Sequence, residues 1–441
     1  MDAVLLSRLQ FALTVGFHFL FPPLTFGLSL FILILETLYL KKGEERYRQL
    51  SDLFVKMLGL VFVLGTASGI VMEFSFGTNW SNYSRLVGDI FGAPLAAEGV
   101  FAFFLESVFL GILVFGRNRI SKKAYWTSAL LVFFGSHLSG LWIIIANSWM
   151  QTPAGFAIEG NRAVLKDFFA AALNHSTVIR YVHTVVAGWI TGTFLIAGVN
   201  AYYLLKNRHV DHAKLGLRIA MIILVIASIG ELVLGHLHSI QVGTTQPEKL
   251  AAYEALYETR SGAPLALFGI PNAEKQKNYL YVGIPKALSF LMYFDSNATI
   301  KGLNEFPPDE RPPVFLPFIS YHIMILLGFL FIAITVIGTA LLIRGKLFTT
   351  NWFLWVLLIA IPLPHLANQF GWIAAEVGRQ PWVVYRVLRT ADAASVVVPA
   401  GQILFSLIMF GLIYLVLFIV FIKVLVKIIK KGPAEVATPG Y

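Results

Sequence analysis

Nine long apolar stretches, divided by short polar and basic segments, set the pattern of this chain. They fall near residues 10–39, 53–75, 94–115, 124–148, 178–205, 216–238, 314–343, 352–376 and 398–423. Each can cross a bilayer as a helix, which takes about 20 apolar residues. The pattern therefore predicts an all-α, polytopic membrane protein with about nine transmembrane helices. Basic residues gather after the first stretch (Lys41, Lys42, Arg46, Arg48), the third (Arg117, Arg119, Lys122, Lys123), the fifth (Lys206, Arg208, Lys214), the seventh (Arg344, Lys346) and the last (Lys427, Lys430, Lys431). Alternate loops thus share the cytoplasmic side, which predicts the N-terminus outside and the C-terminus in the cytoplasm. No basic region precedes the first apolar run, and that run is too long for a signal-peptide core, so it is expected to remain as the first span.

One connection stands out by length. The external loop 240–313 is polar and rich in Pro and Gly, and within it 247–258 reads as a short amphipathic helix. The expected organisation is one transmembrane domain, 1–431, carrying this loop, followed by a flexible cytoplasmic tail, 432–441.

Composition narrows the chemistry. The chain has 441 residues, of which 57% are hydrophobic and only 13% charged, and its mean hydropathy of +0.73 excludes a soluble globular protein. It contains no cysteine, which removes disulfides, Cys-ligated iron–sulfur clusters and covalent c-type haem. Any metal must be held by His, Met, Glu or Asp. The net charge of +10 sits in short clusters between apolar runs, so it serves topology and no nucleic-acid partner is expected.

Polar side chains inside apolar spans need a reason, because lipid offers them no partner. His18 lies on the first span ahead of Pro22 and Pro23, which bend the helix and free carbonyls. A neutral imidazole at that depth suits an axial haem ligand. His183 on the fifth span and Met324 on the seventh lie at similar depth, and such a pair can fill both axial positions of a b-type haem. His322 points to another face and is an alternative ligand or a partner for a propionate. Glu98 and Glu106, eight residues apart on the third span, lie on the same broad side and suit proton relay. Glu73, Glu231, Lys56, Asn147, His236 and His238 read mostly as interfacial groups that snorkel. Near the end of the eighth span stands Glu376, with Trp372 one turn earlier and Arg379 just beyond. A flat ring and a forked cation there suit a planar, carboxylate-bearing ligand. His365 shares a helix face with Glu376 and reads as a packing residue or a proton relay.

The string Gly378-Arg379-Gln380-Pro381-Trp382 after Glu376, with the spans and polar residues above, closely resembles subunit I of the cytochrome bd-type quinol oxidases. The resemblance runs nearly the full length. It implies a quinol:oxygen oxidoreductase that oxidises membrane quinol at the outer face, reduces O2 to water with cytoplasmic protons, and so builds a proton motive force. The implied cofactors are two b-type haems, one low-spin and one high-spin, and one haem d. His183 and Met324 match the ligands of the low-spin b haem. His18 and Glu376 match those of the two high-spin haems, with the order between them open. Arg8, Trp372 and Arg379 match residues that line the haem site, and Glu98 and Glu106 match carboxylates of proton delivery. Lys249 and Glu254, in Lys-Leu-Ala-Ala-Tyr-Glu, match the pair assigned to quinol oxidation. The implied partners are a second membrane subunit and a small single-span accessory subunit, in a bacterial or archaeal cytoplasmic (inner) membrane. Two departures are visible: His322 stands where better-known members carry Arg, and the external loop is short. Two rival readings use some of the same residues: a b-type cytochrome passing electrons from quinone to a partner, and an ion or solute transporter built on the intramembrane Glu and His.

Overall fold

The computed structural model describes residues 2–434, so residues 435–441 of the expected tail lie outside the described residues. Among the described residues, nine helical stretches are long and apolar enough to cross a membrane: Ala3–Lys42, Glu45–Thr78, Ser81–Phe115, Lys122–Gln151, Thr177–Leu205, Val210–Thr245, Phe315–Ile343, Asn351–Val377 and Ala400–Lys431. They match the nine apolar runs in order, and below they are numbered as spans in that order.

Three spans are interrupted. The first is two helices, Ala3–His18 and Pro22–Lys42, because Pro22 and Pro23 lack N–H groups and fit only a helix start. The bend anticipated there is a full break. The eighth is likewise two helices, Asn351–Ile359 and Leu363–Val377, parted at Pro362. The third begins earlier than hydropathy predicted. Its opening helix, Ser81–Ala97, buries Tyr83, Val87, Ile90 and Phe91 along one side while polar residues fill the other, which lowers its mean hydropathy. A π-helical turn then follows at Glu98–Phe103, an arrangement common at functional sites.

The fifth span is the centre of the bundle, with 72% of its apolar window buried, and the ninth the periphery, with 11%. Small residues allow this packing. Gly27 and Gly192 touch backbone to backbone, so that a Cβ on either would stand 2.6 Å from the other's Cα. At the opposite end from the long loop, Arg117 clamps the bundle by bonding Glu36 (2.5 and 3.0 Å) and Asp52 (2.5 Å) while lying 3.5 Å over the Tyr125 ring.

The 240–313 loop is ordered and has its own core. It contains a helix (Pro247–Tyr253), an antiparallel hairpin (Leu265–Asn272 with Lys277–Ile284) and a second helix (Ala287–Tyr293). Leu250, Leu256, Ala266, Leu288 and Met292 pack together against Phe318 of the seventh span. The first helix is shorter than the expected 247–258, because Ala255 takes a positive φ of 47° and ends it. It is also buried rather than amphipathic, Glu248, Lys249 and Glu254 included.

Candidate functional site

At the loop end of the bundle, four elements bring charged side chains into one buried cluster. Glu376 is next to last in its helix, and Gly378 caps that helix. One carboxylate oxygen of Glu376 pairs with Arg379, one turn on. The other accepts hydrogen bonds from Asn147 Nδ2 (3.1 Å) and Gln151 Nε2 (3.3 Å). These amides are one turn apart on the fourth span and so face the same way. Asn147 Oδ1 in turn accepts from the buried Arg180 of the fifth span.

Gln151 extends the cluster into the loop. Its Oε1 accepts from Lys249 Nζ (2.9 Å), and its main-chain carbonyl accepts from Gln246 Nε2 (2.7 Å). A continuous hydrogen-bonded chain therefore runs Lys249–Gln151–Glu376–Arg379. Glycine is required at 378, since a Cβ there would lie 3.0 Å from the Tyr253 ring and 3.1 Å from Lys249 Cγ.

Lys249 is only 1% exposed. Burial first, and then the Arg180 guanidinium, holds its pKa well below the usual lysine range, against the opposing pull of Glu376. Glu254 is buried too. Its Oε2 accepts from the Ala266 N–H (2.9 Å) and its Oε1 has no partner. Burial pushes this carboxyl up to about 8, with the Ala266 bond pulling the other way. Between the two, Tyr253 stacks on Tyr321 of the seventh span, rings 4.5 Å apart and 12° from parallel. Glu248 accepts from the Tyr385 hydroxyl (2.6 Å), which ties the loop helix to the segment after Trp382.

The fifth and seventh spans, which carry His183 and Met324, both pack against the sixth and the eighth. His183 Nδ1 stands 2.9 Å from Glu231 Oε1, and its ring is 5.1 Å from that of His238. Glu231 thus pairs with His183, the His238 ring lies edge-on against it, and Asn147 bonds Glu376. These three turn to partners on other helices instead of snorkelling as expected. Met324 turns its sulfur toward Gly371 of the eighth span, where a Cβ would lie 2.9 Å from Sδ. His322 stands between two main-chain carbonyls, with Nδ1 2.8 Å from that of Phe318 and Nε2 3.0 Å from that of Ala266; the nitrogen that carries the proton donates to one of them, and the ring lies between the hairpin and the span.

His18 ends the first helix of its span, with Nδ1 3.1 Å from Ser68 Oγ. Gly69 leaves space beside the ring, since a Cβ there would stand 3.2 Å from His18 Cε1. The next residue, Phe19, meets Trp372 edge-on at 5.2 Å, and Gln369 Nε2 donates to the Gly16 carbonyl (2.8 Å). Gly16 and Phe19 therefore pack on the side of the eighth span that carries Gln369, Trp372 and Glu376, while the His18 ring faces the second span. Arg8 lies apart, exposed on the first helix. Glu98 accepts from Ser139 (2.8 Å), and Glu106 packs on Gly135 with Oε1 buried and unpartnered. Gly135 and Ser139 are one turn apart, so both carboxyls face the fourth span, as their spacing predicted.

The donors fit haem. Among the described residues no three His, Asp or Glu side chains converge as for a bare ion; the candidates stand singly on separate helices, as axial ligands do. Beside Glu376, the buried Arg379 Nε and Nη1, Arg180 Nε and Trp382 Nε1 lack partners. These are N–H donors suited to porphyrin propionates. Sequence reasoning missed Arg180, Gln151 and the true role of Asn147. The signals were there, in two amides spaced i, i+4 at the end of the fourth span and a guanidinium three residues before His183.

The family model for "Cytochrome bd terminal oxidase subunit I" matches residues 6–433. The chain belongs to this family. Among other subunits I of bd oxidases, it is 39% identical to the cytochrome bd ubiquinol oxidase subunit 1 of Bacillus subtilis (strain 168), over 98% of this chain and 94% of that protein. It is 35% identical to the cytochrome bd-II ubiquinol oxidase subunit 1 of Escherichia coli (strain K12), over 98% of this chain and 97% of that protein. That alignment runs over 501 positions, so the E. coli protein carries residues with no counterpart in these 441. The bd oxidase structure from Geobacillus thermodenitrificans superposes with a TM-score of 0.92 at 30% identity, covering 98% of this chain and 99% of that one.

Proposed function

We propose that this chain is the haem-bearing subunit of a bd-type quinol:oxygen oxidoreductase, with quinol oxidised against Lys249 and Glu254 and haem held by His18, His183, Met324 and Glu376. The observation that carries the reading is the chain Lys249–Gln151–Glu376–Arg379, which joins the loop lysine to the carboxylate expected at iron. Haem, when bound by these residues, would supply the one-electron redox centre and the site of O2 reduction.

The protein side chains do the rest. Lys249, whose pKa burial lowers, accepts a quinol hydroxyl proton when its amine is deprotonated. Glu254, mostly neutral at pH 7, donates a hydrogen bond to the quinol oxygen and, after its own proton has left to the outer water, takes the second quinol proton. Arg379 and Arg180 offer N–H groups to propionates, and Trp372 walls the site beside Glu376. Glu98 and Glu106, both facing the fourth span, pass protons inward from the cytoplasmic side. With the N-terminus outside, the loop faces outward, and release and uptake on opposite sides generate the proton motive force. His183 and Met324 are assigned to a low-spin b haem, and His18 and Glu376 to a high-spin b haem and haem d. The complex includes a second membrane subunit and a small single-span subunit, in the cytoplasmic membrane.

Glu254→Ala in the purified complex tests this. Quinol turnover should fall to near zero while an artificial donor that reduces haem directly still supports O2 uptake. Normal quinol turnover would remove Glu254 from the mechanism.

A further inference from the structure

The 240–313 loop carries an apolar surface that its own core does not use. One face of the hairpin packs on the seventh span, while Phe268, Ile270, Leu280 and Val282 on it stay open, Leu280 being 72% exposed. The following helix adds Phe290 and, just past its end, Phe294 at 71%. Soluble surfaces rarely gather so many large apolar side chains in one place.

Two independent anchors fix the depth of this surface. The Ala266 carbonyl of the hairpin meets His322, seven residues after Phe315 begins the seventh span, or about 10 Å along the axis. That span has 29 residues, about 43 Å, which matches a bilayer with its headgroups. His322 therefore lies near the edge of the hydrocarbon. On the other side, Phe294 meets His236 at 6.2 Å, nine residues before the sixth span ends at Thr245, or about 13 Å in. Met292 packs beside Gly243, two residues or about 3 Å from the end of the sixth span.

The neighbouring surfaces agree. Leu232, Val233 and Leu237 on the sixth span and Leu326 and Phe329 on the seventh are exposed, and the loop surface continues this lipid-facing belt. Tyr279 and Tyr293 are half exposed at its margin, where aromatic hydroxyls favour the membrane interface. At the hairpin tip the sequence changes to exposed Glu274, Lys275, Gln276 and Lys277, which belong in water.

We infer that this loop surface rests in the headgroup–acyl boundary of the bilayer and contacts lipid. The boundary, rather than the hydrocarbon core, supplies water and headgroup partners for the open strand edge. Glu254 lies directly behind the hairpin through Ala266. The inference rests on the spans alone and stands whether or not Glu254 oxidises quinol.

The absence of cysteine from this chain allows a direct test. Leu280→Cys, Val282→Cys and Lys275→Cys, each in the assembled complex, are labelled with a nitroxide in phosphatidylcholine liposomes without quinol. The parent complex gives the background from cysteines of other subunits. Collision with O2, which concentrates in lipid, is compared with collision with a water-soluble nickel chelate. At 280 and 282, O2 should dominate several-fold, and at 275 the chelate should. Dominance of the chelate at 280 and 282 overturns the inference, as does exclusion of both reagents there, which would mean a protein partner covers the surface.

Discussion

Replacing Gln151 with leucine cuts the hydrogen-bonded chain at its middle while keeping side-chain bulk and the main-chain carbonyl that holds Gln246. Two bonds go: Lys249 Nζ to Oε1 and Nε2 to Glu376. Only the first acts on Lys249, and such a bond contributes about 1–1.5 kcal/mol. Expressed through the placement of Lys249, that is on the order of tenfold in quinol affinity. Glu376 keeps Arg379 and Asn147, so haem content should hold. The assay is steady-state quinol oxidation by the purified complex, with a visible spectrum of the same sample. The expected result is a KM for quinol raised by about one decade with an unchanged spectrum. A KM within twofold of the parent would refute the claim that this chain positions the quinol-side lysine.

Burial raises Glu254 to about 8, so its ionised fraction grows from about one tenth at pH 7 to about nine tenths at pH 9. Quinol oxidation, corrected for autoxidation, should therefore rise with pH through about 8, and Glu254→Gln should flatten that limb; an identical profile in both would exclude Glu254 as the titrating group. Gly192→Leu forces a side chain into the Gly27 backbone and should cost at least about 1–3 kcal/mol, read as a lower thermal midpoint of the detergent-solubilised complex. An unchanged midpoint would show that this contact does not hold the bundle.

Most of the architecture was legible because lipid enforces it. Helix length and apolar runs gave nine spans, and paired prolines marked the break after His18. The early start of the third span was hidden because Ser81–Ala97 buries one stripe only, and hydropathy averages over both sides. Among site residues, spacing gave Glu98 with Glu106 and Trp372 with Glu376, since one helix holds each pair. Contacts between helices were not legible. Nothing local to Glu231 or His238 says that His183 stands opposite, and nothing local to Gln151 says that it joins Lys249 to Glu376. The loop was the least readable part, because its helix is buried by a hairpin far along the chain and its apolar strands do not form a span.

The central claim is that single donors on separate helices hold haem, and Met324 tests it most directly. Its sulfur faces the smallest residue on the opposing helix, Gly371, so Met324→Leu keeps the packing and removes the ligand. The reduced-minus-oxidised visible spectrum of the purified complex should lose its low-spin b band while the bands of the other haems remain. An unchanged low-spin band would contradict the assignment.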